Sequence, residues 1–160
     1  MPILHFQLNG TGKTPDGTDI LIPPNVVMMQ RGPCVQSTIG LADIVAQQLL
    51  LQGKPLPIPI SGLALIDTGA SSTCIDDAIA QQLGLPVTDV VQMTSASHAN
   101  TQQNVYPAKI TLMNGITIDV PRAIGAALQA QNIIALIGRD FLQHCTLFYN
   151  GVTGEITLSL

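Results

Sequence analysis

Asp67 stands directly after the apolar run Leu63-Ala64-Leu65-Ile66 and is followed at once by Thr68, Gly69 and Ala70. A carboxylate there leaves the end of a buried strand. A glycine two residues on permits a tight turn that aims the acid into a cleft, and the Thr68 hydroxyl can lock that turn by hydrogen bonds. Only 10% of the residues are charged, against roughly 25% in an average globular protein. A carboxylate in this position is therefore a candidate for acid–base work, although the tripeptide alone is also compatible with a plain turn.

A second feature about seventy residues later changes the balance. The stretch Ile133 to Phe141, IIALIGRDF, again runs an apolar strand into a glycine, Gly138, and then into a short helical turn through Arg139 and Asp140. Apolar residues before D-T-G-A, and apolar residues before I-G-R-D, make a specific pair.

The elements that must hold these motifs read as mostly β. Leu4, Phe6 and Leu8 alternate with His5 and Gln7, as in a half-buried strand. Prolines at 23, 24 and 33 break the apolar runs between Ile20 and Gly40, which predicts short edge strands there. Leu41, Ile44, Val45, Leu49 and Leu51 recur at helical spacing ahead of Gly53, which predicts an amphipathic helix over 41–52. Alternate prolines in KPLPIPI hold the chain extended before LALI. Asp76 and Asp77 can cap a helix that Gly84 closes. Asn114-Gly115 between two alternating runs predicts a hairpin with a type I′ turn.

With these motifs the chain resembles the retropepsin-like aspartic proteases, over about Pro57 to Leu160, with Val26 to Gly40 as an earlier strand pair. The resemblance implies a mostly β, retropepsin-like (acid protease) closed β-barrel with short helices, each subunit carrying half of a site. Length and the lack of a domain linker predict one domain over 1–160, in which, by the resemblance, residues 1–56 include an N-terminal extension. Asp67 would be the catalytic carboxylate, Thr68 would grip its counterpart across a two-fold axis, Gly69 would let substrate approach, and Gly138 would support the site from below. Ala70, Ser71 and, in a flap-like loop between Val91 and Tyr106, Ser97 and His98 would face substrate. Arg139 and Asp140 would support the site or a dimer. Ser71 stands where retroviral members usually carry an acid that pairs with the arginine of the second motif; Asp140 or Asp76 could take that part. The flap-like loop contains no glycine.

The chemistry explains why a partner is implied. A water attacking an amide needs one group to take its proton and another to donate one. Two carboxylates about 3 Å apart share a single proton and supply both functions. The chain has one D-T-G, so the second carboxylate comes from an identical subunit on a two-fold axis. The implied activity is aspartic endopeptidase action on a peptide or protein substrate by a homodimer. The alternative is a retropepsin-fold dimer that binds peptides or proteins without cutting them.

Composition excludes other classes. A net charge of -4 and a pI near 5.0 argue against nucleic acid and anionic membranes as partners. Cys34, Cys74 and Cys145 include no C-x-x-C pair, so neither a disulfide framework nor a zinc knuckle is expected. His5, His98 and His144 have no ligand-like neighbour four residues on, and we expect no metal or other cofactor. Ser71, Ser72 and Cys74 show no adjacent base that would make one a nucleophile. With no long apolar span and no leader pattern at MPILHFQLNG, the expectation is a soluble, cytoplasmic protein.

Overall fold

The structure is a computed structural model that describes residues 2–93 and 101–160. In chain order its elements are β1 (Ile3–Gln7), β2 (Gly10–Lys13), β3 (Asp19–Ile22), α1 (Pro24–Arg31), β4 (Cys34–Leu41), α2 (Asp43–Leu51), β5 (Ile60–Ile66), β6 (Cys74–Asp76), α3 (Asp77–Gln82), β7 (Asp89–Met93), β8 (Thr101–Leu112), β9 (Thr117–Ala126), β10 (Ala135–Ile137), α4 (Arg139–Leu142), β11 (Thr146–Asn150) and β12 (Glu155–Ser159). Strand dominates, and the helices are short. Two compact units form, one from the residues up to Cys34 with Leu142–Leu160, the other from Val35–Phe141.

In the first unit the terminal strands pair within the chain, in the order β1-β12-β11. Leu4 faces Leu158 and Phe6 faces Ile156; Leu4, Ile156 and Leu158 are buried, which fixes the register because a one-residue slip of β1 would turn Leu4 outward. β2 and β3 form a separate ribbon, closed by a turn in which Asp16 accepts hydrogen bonds from the Thr14 hydroxyl and the Thr18 amide.

The segment after β3 departs from the edge strands that its prolines suggested. Pro24 to Arg31 is helical, with proline in the first turn and Gly32 at φ 70° closing it. Proline in a first turn sacrifices no intrahelical hydrogen bond and arrives with helical φ. The VVMM run therefore winds, and Val27 and Met28 are the residues it buries.

The second unit holds a closed ring. Its neighbours run β4-β5-β10-β6-β9-β8, and β8 returns to β4 through pairs from Ser37–Leu112 to Leu41–Ala108. β7 pairs with the first part of β8, from Thr101 to Val105, on the same edge that β4 takes further along. Val35, Ile39, Ala64, Ile66, Ile75, Val105, Ile110, Leu112 and Ile137 are buried. Each fully buried Val, Leu or Ile side chain contributes roughly 1.5–3 kcal/mol, so the core is carried by aliphatic side chains. β10 is the strand that matters for the site, running parallel to β5 with Ala135 beside Ala64 and Ile137 beside Ile66. It brings the ends of LALI and IIALI to the same level.

Two local features differ from expectation. α2 forms, but Ile44, Leu50 and Leu51 are exposed and the helix has no fully buried residue, so it is not a helix with one apolar face sunk in a core. The β8–β9 turn is not type I′. Only Gly115 has positive φ (83°), and its amide donates to Leu112 O at 2.8 Å. Asn114 stays at negative φ, giving a type I turn followed by a left-handed glycine. Among the described residues no helix is long and apolar enough to cross a membrane.

Candidate active site

β5 delivers Asp67. Ile66 is buried in the ring and registers with Ile137, and the Asp67 amide donates to the Ile137 carbonyl at 3.0 Å. There the ladder ends and the chain turns. The Gly69 amide donates to Asp67 Oδ1 at 2.8 Å, and the Ala70 amide to Asp67 O at 3.3 Å. A Cβ on Gly69 would stand 3.0 Å from Asp67 Oδ1, so glycine allows the carboxylate to fold over its own turn. Asp67 is half-buried, while Thr68 and Gly69 are exposed.

β10 delivers the support. A Cβ on Gly138 would meet Ser72 C at 2.5 Å, Ser72 O at 2.7 Å and Thr73 N at 2.9 Å, closer than backbone atoms tolerate. The φ of Gly138 is not positive; close approach, not backbone conformation, demands glycine there. The segment after it grips the Asp67 turn. Arg139 N donates to Ala70 O at 2.9 Å and Asp140 N to Ser71 O at 3.2 Å. The Arg139 guanidinium reaches under the turn, and its Nη1 donates to Thr68 O at 2.8 Å and Gly69 O at 2.9 Å.

Thr73 ties the two segments together. Its amide and hydroxyl donate to the Asp140 carboxylate, each at 2.8 Å, while Oγ1 accepts the Gly138 amide at 3.1 Å. Thr73 is 1% exposed, and buried polar groups joined in this way hold one geometry. The motifs do not mark Thr73; its one local signal is a hydroxyl within the small-residue run between Asp67 and Ile75. Asp76, suggested as an alternative partner for Arg139, serves elsewhere: it caps α3 through the Ile79 amide at 3.2 Å and accepts the Leu128 amide at 3.0 Å. Asp77 accepts from the buried Tyr106 hydroxyl at 2.7 Å and from Gln81 at 2.6 Å, fastening α3 to β8. Burial and that bond hold the Tyr106 phenol above its ordinary pKa.

A cleft of about 840 Å3 opens beside Asp67. Gly69, Ala70, Ser71 and Ser72 form one side; Val91 and Met93 of β7, Val105 of β8, Ile124 of β9 and Leu136 of β10 make an apolar wall. Arg122 and Asp140 are the other charged lining residues. The five motif residues Asp67 to Ser71 thus meet Gly138, Arg139 and Asp140 in one place. Ser97 and His98 lie outside the described residues. The cleft wall is not legible in the sequence, because Arg122 and Ile124 lie past Val120, where the alternating arm of the hairpin ends although β9 runs on to Ala126.

Cys74 lies behind this cluster and is 1% exposed. Burial first, then the negative charges of Asp140 and Asp67, pushes its thiol up to about 11. A thiol held neutral is a packing group and a poor nucleophile.

The family "gag-polyprotein putative aspartyl protease" matches residues 61–144, more than half of the 160-residue chain. The chain is also similar to a solved structure, that of a retropepsin-like aspartic protease from Rickettsia conorii, at 13% identity over 99% of this chain and 94% of that one, with a TM-score of 0.40. A comparison with curated proteins gave no match.

Proposed function

The chain belongs to the gag-polyprotein aspartyl protease family and has a retropepsin-like fold, and from that premise we propose that it is an aspartic endopeptidase that works as a homodimer. The observation that carries this reading is Asp67 itself. Its carboxylate is held over its own turn at the mouth of a cleft, with Thr68 and Gly69 exposed beside it and Arg139, Gly138 and Thr73 bracing the turn from behind.

One such carboxylate per chain is half of a catalytic pair. Two copies related by a two-fold axis set Asp67 against its counterpart, with Thr68 available to bond across the axis. At a separation of about 3 Å the pair holds one proton. The ionised member takes a proton from water while the protonated member donates to the carbonyl oxygen of the scissile amide, and the water oxygen bonds to the carbonyl carbon. Proton transfer to the amide nitrogen then lets the C–N bond break, leaving a carboxylic acid and an amine. Ala70, Ser71, Ser97 and His98 are assigned to substrate contact, and Arg139 with Asp140 to support of the site.

Incubation of the purified chain with a peptide library under mildly acidic conditions tests the reading. Internal cleavage is expected, lost in Asp67→Asn and inhibited by a statine-type mimic of the tetrahedral intermediate. Wild type and Asp67→Asn equally inert across a wide pH range, with peptides still bound, would point instead to a binding module.

A further inference from the structure

We propose that Arg122 sets the choice of peptide in this cleft, favouring one with an acidic side chain next to the apolar residue seated against Val105 and Ile124. This rests on the Asp67 cleft being the peptide site. Ile124 registers opposite Val105, and Val105 opposite Asp89, so the three side chains form one row on one face of the sheet. Arg122 precedes Ile124 by two residues on β9, at a register shift that sets Pro121 and Arg122 against the single residue Pro107 of β8. From there it lines the cleft and reaches back across β8, where its Nη2 donates to Asp89 Oδ2 at 2.8 Å.

That contact positions the guanidinium and leaves most of its capacity for a ligand. A guanidinium carries five N–H donors in a planar fork, and 62% of the Arg122 side chain is exposed. A side chain already held in place loses less freedom when it binds again. The other charged lining residues, Asp67 and Asp140, are both acids, and Asp140 is engaged by Thr73. An acidic side chain near Arg122 gains a charge-assisted hydrogen bond, whereas a basic one meets like charge beside it. Asp89 also cancels part of the field of Arg122; Asp89→Asn keeps a side-chain oxygen to hold the guanidinium but removes that charge, so it should sharpen the preference.

The test uses the Asp67→Asn chain of residues 1–160, which can bind without cutting, and fluorescein-labelled extended peptides in matched pairs that differ only by Glu or Gln at one position in turn. Fluorescence anisotropy at low salt is expected to show one position at which Glu binds about threefold to fivefold more tightly than Gln. The difference should vanish on adding Arg122→Gln, grow on adding Asp89→Asn, and shrink with salt. Peptides bound with no Glu–Gln difference at any position, or a difference that survives Arg122→Gln, overturn the assignment and leave the cleft reading intact. If no peptide binds and the wild-type chain cuts none, the cleft reading falls and the Arg122 assignment with it.

Discussion

Gly138 lies so close to Ser72 that a single added carbon would stand 2.5 Å from the Ser72 carbonyl carbon. The strand that supports the site is thereby packed backbone against backbone on the loop that follows Asp67. Close packing of this kind transmits small shifts instead of absorbing them.

Gly138→Ala should therefore destabilise the fold by roughly 1–3 kcal/mol through overpacking, because the obstructing atoms belong to the main chain and cannot rotate away. Urea unfolding followed by circular dichroism measures this directly. A midpoint unchanged from wild type would mean that the two segments are not in contact.

Thr73→Val keeps the shape of the side chain and removes the hydroxyl that links Gly138 to Asp140. The variant leaves the buried Gly138 amide without that acceptor, at a cost of about 1–3 kcal/mol. Thr73→Ser should recover most of the loss, since it restores the hydroxyl. Equal stability of the Val and Ser variants would show that packing, not the hydrogen bonds, matters at this position.

Cys74 makes a pH prediction. Its thiol is raised from 9.0 to about 11 in the folded chain, so between those values the unfolded state gives up its proton first. Folding stability from this group is complete below pH 9 and declines as pH rises toward 11. Cys74→Ala should flatten that part of the stability curve, and an alkylating reagent at pH 8 should leave Cys74 unmodified in the native protein. Rapid native-state alkylation of Cys74 would contradict its burial.

If two carboxylates share one proton, the pair must be singly protonated to work. Peptide cleavage should then follow a bell-shaped dependence of kcat/KM on pH, falling on the acid side when both carboxyls are protonated and on the other when both are ionised. A profile with only one limb between pH 2 and 8 would argue that a single titrating group governs the reaction.

Much of this was legible because the two motifs are local. LALI before Asp67 and IIALI before Gly138 are apolar runs, buried at alternate residues, and they lie side by side as parallel strands. Other features depended on partners distant in sequence. The VVMM segment reads as edge strand because prolines break apolar runs, although Pro24 in a first turn begins a helix. Thr73 looked like an ordinary small residue because Asp140, which accepts two of its hydrogen bonds, is 67 positions away. The apolar spacing of α2 suggested a buried face, yet periodicity alone does not say whether a neighbouring element covers it; Ile44 and Leu51 are exposed. The cleft wall required the β7-β8-β9 register, which places Asp89, Val105 and Ile124 in one row.

Subunit mixing tests the paired-carboxylate claim most directly. Wild-type chain is mixed with Asp67→Asn chain at fixed total concentration, subunits are allowed to exchange, and the peptide cleavage rate is followed against the wild-type fraction. If each active unit needs an Asp67 from both copies, the rate falls with the square of that fraction, to roughly one quarter in an equal mixture of randomly assorting subunits. A linear fall, to roughly one half, would mean that each chain works alone and would contradict the shared site.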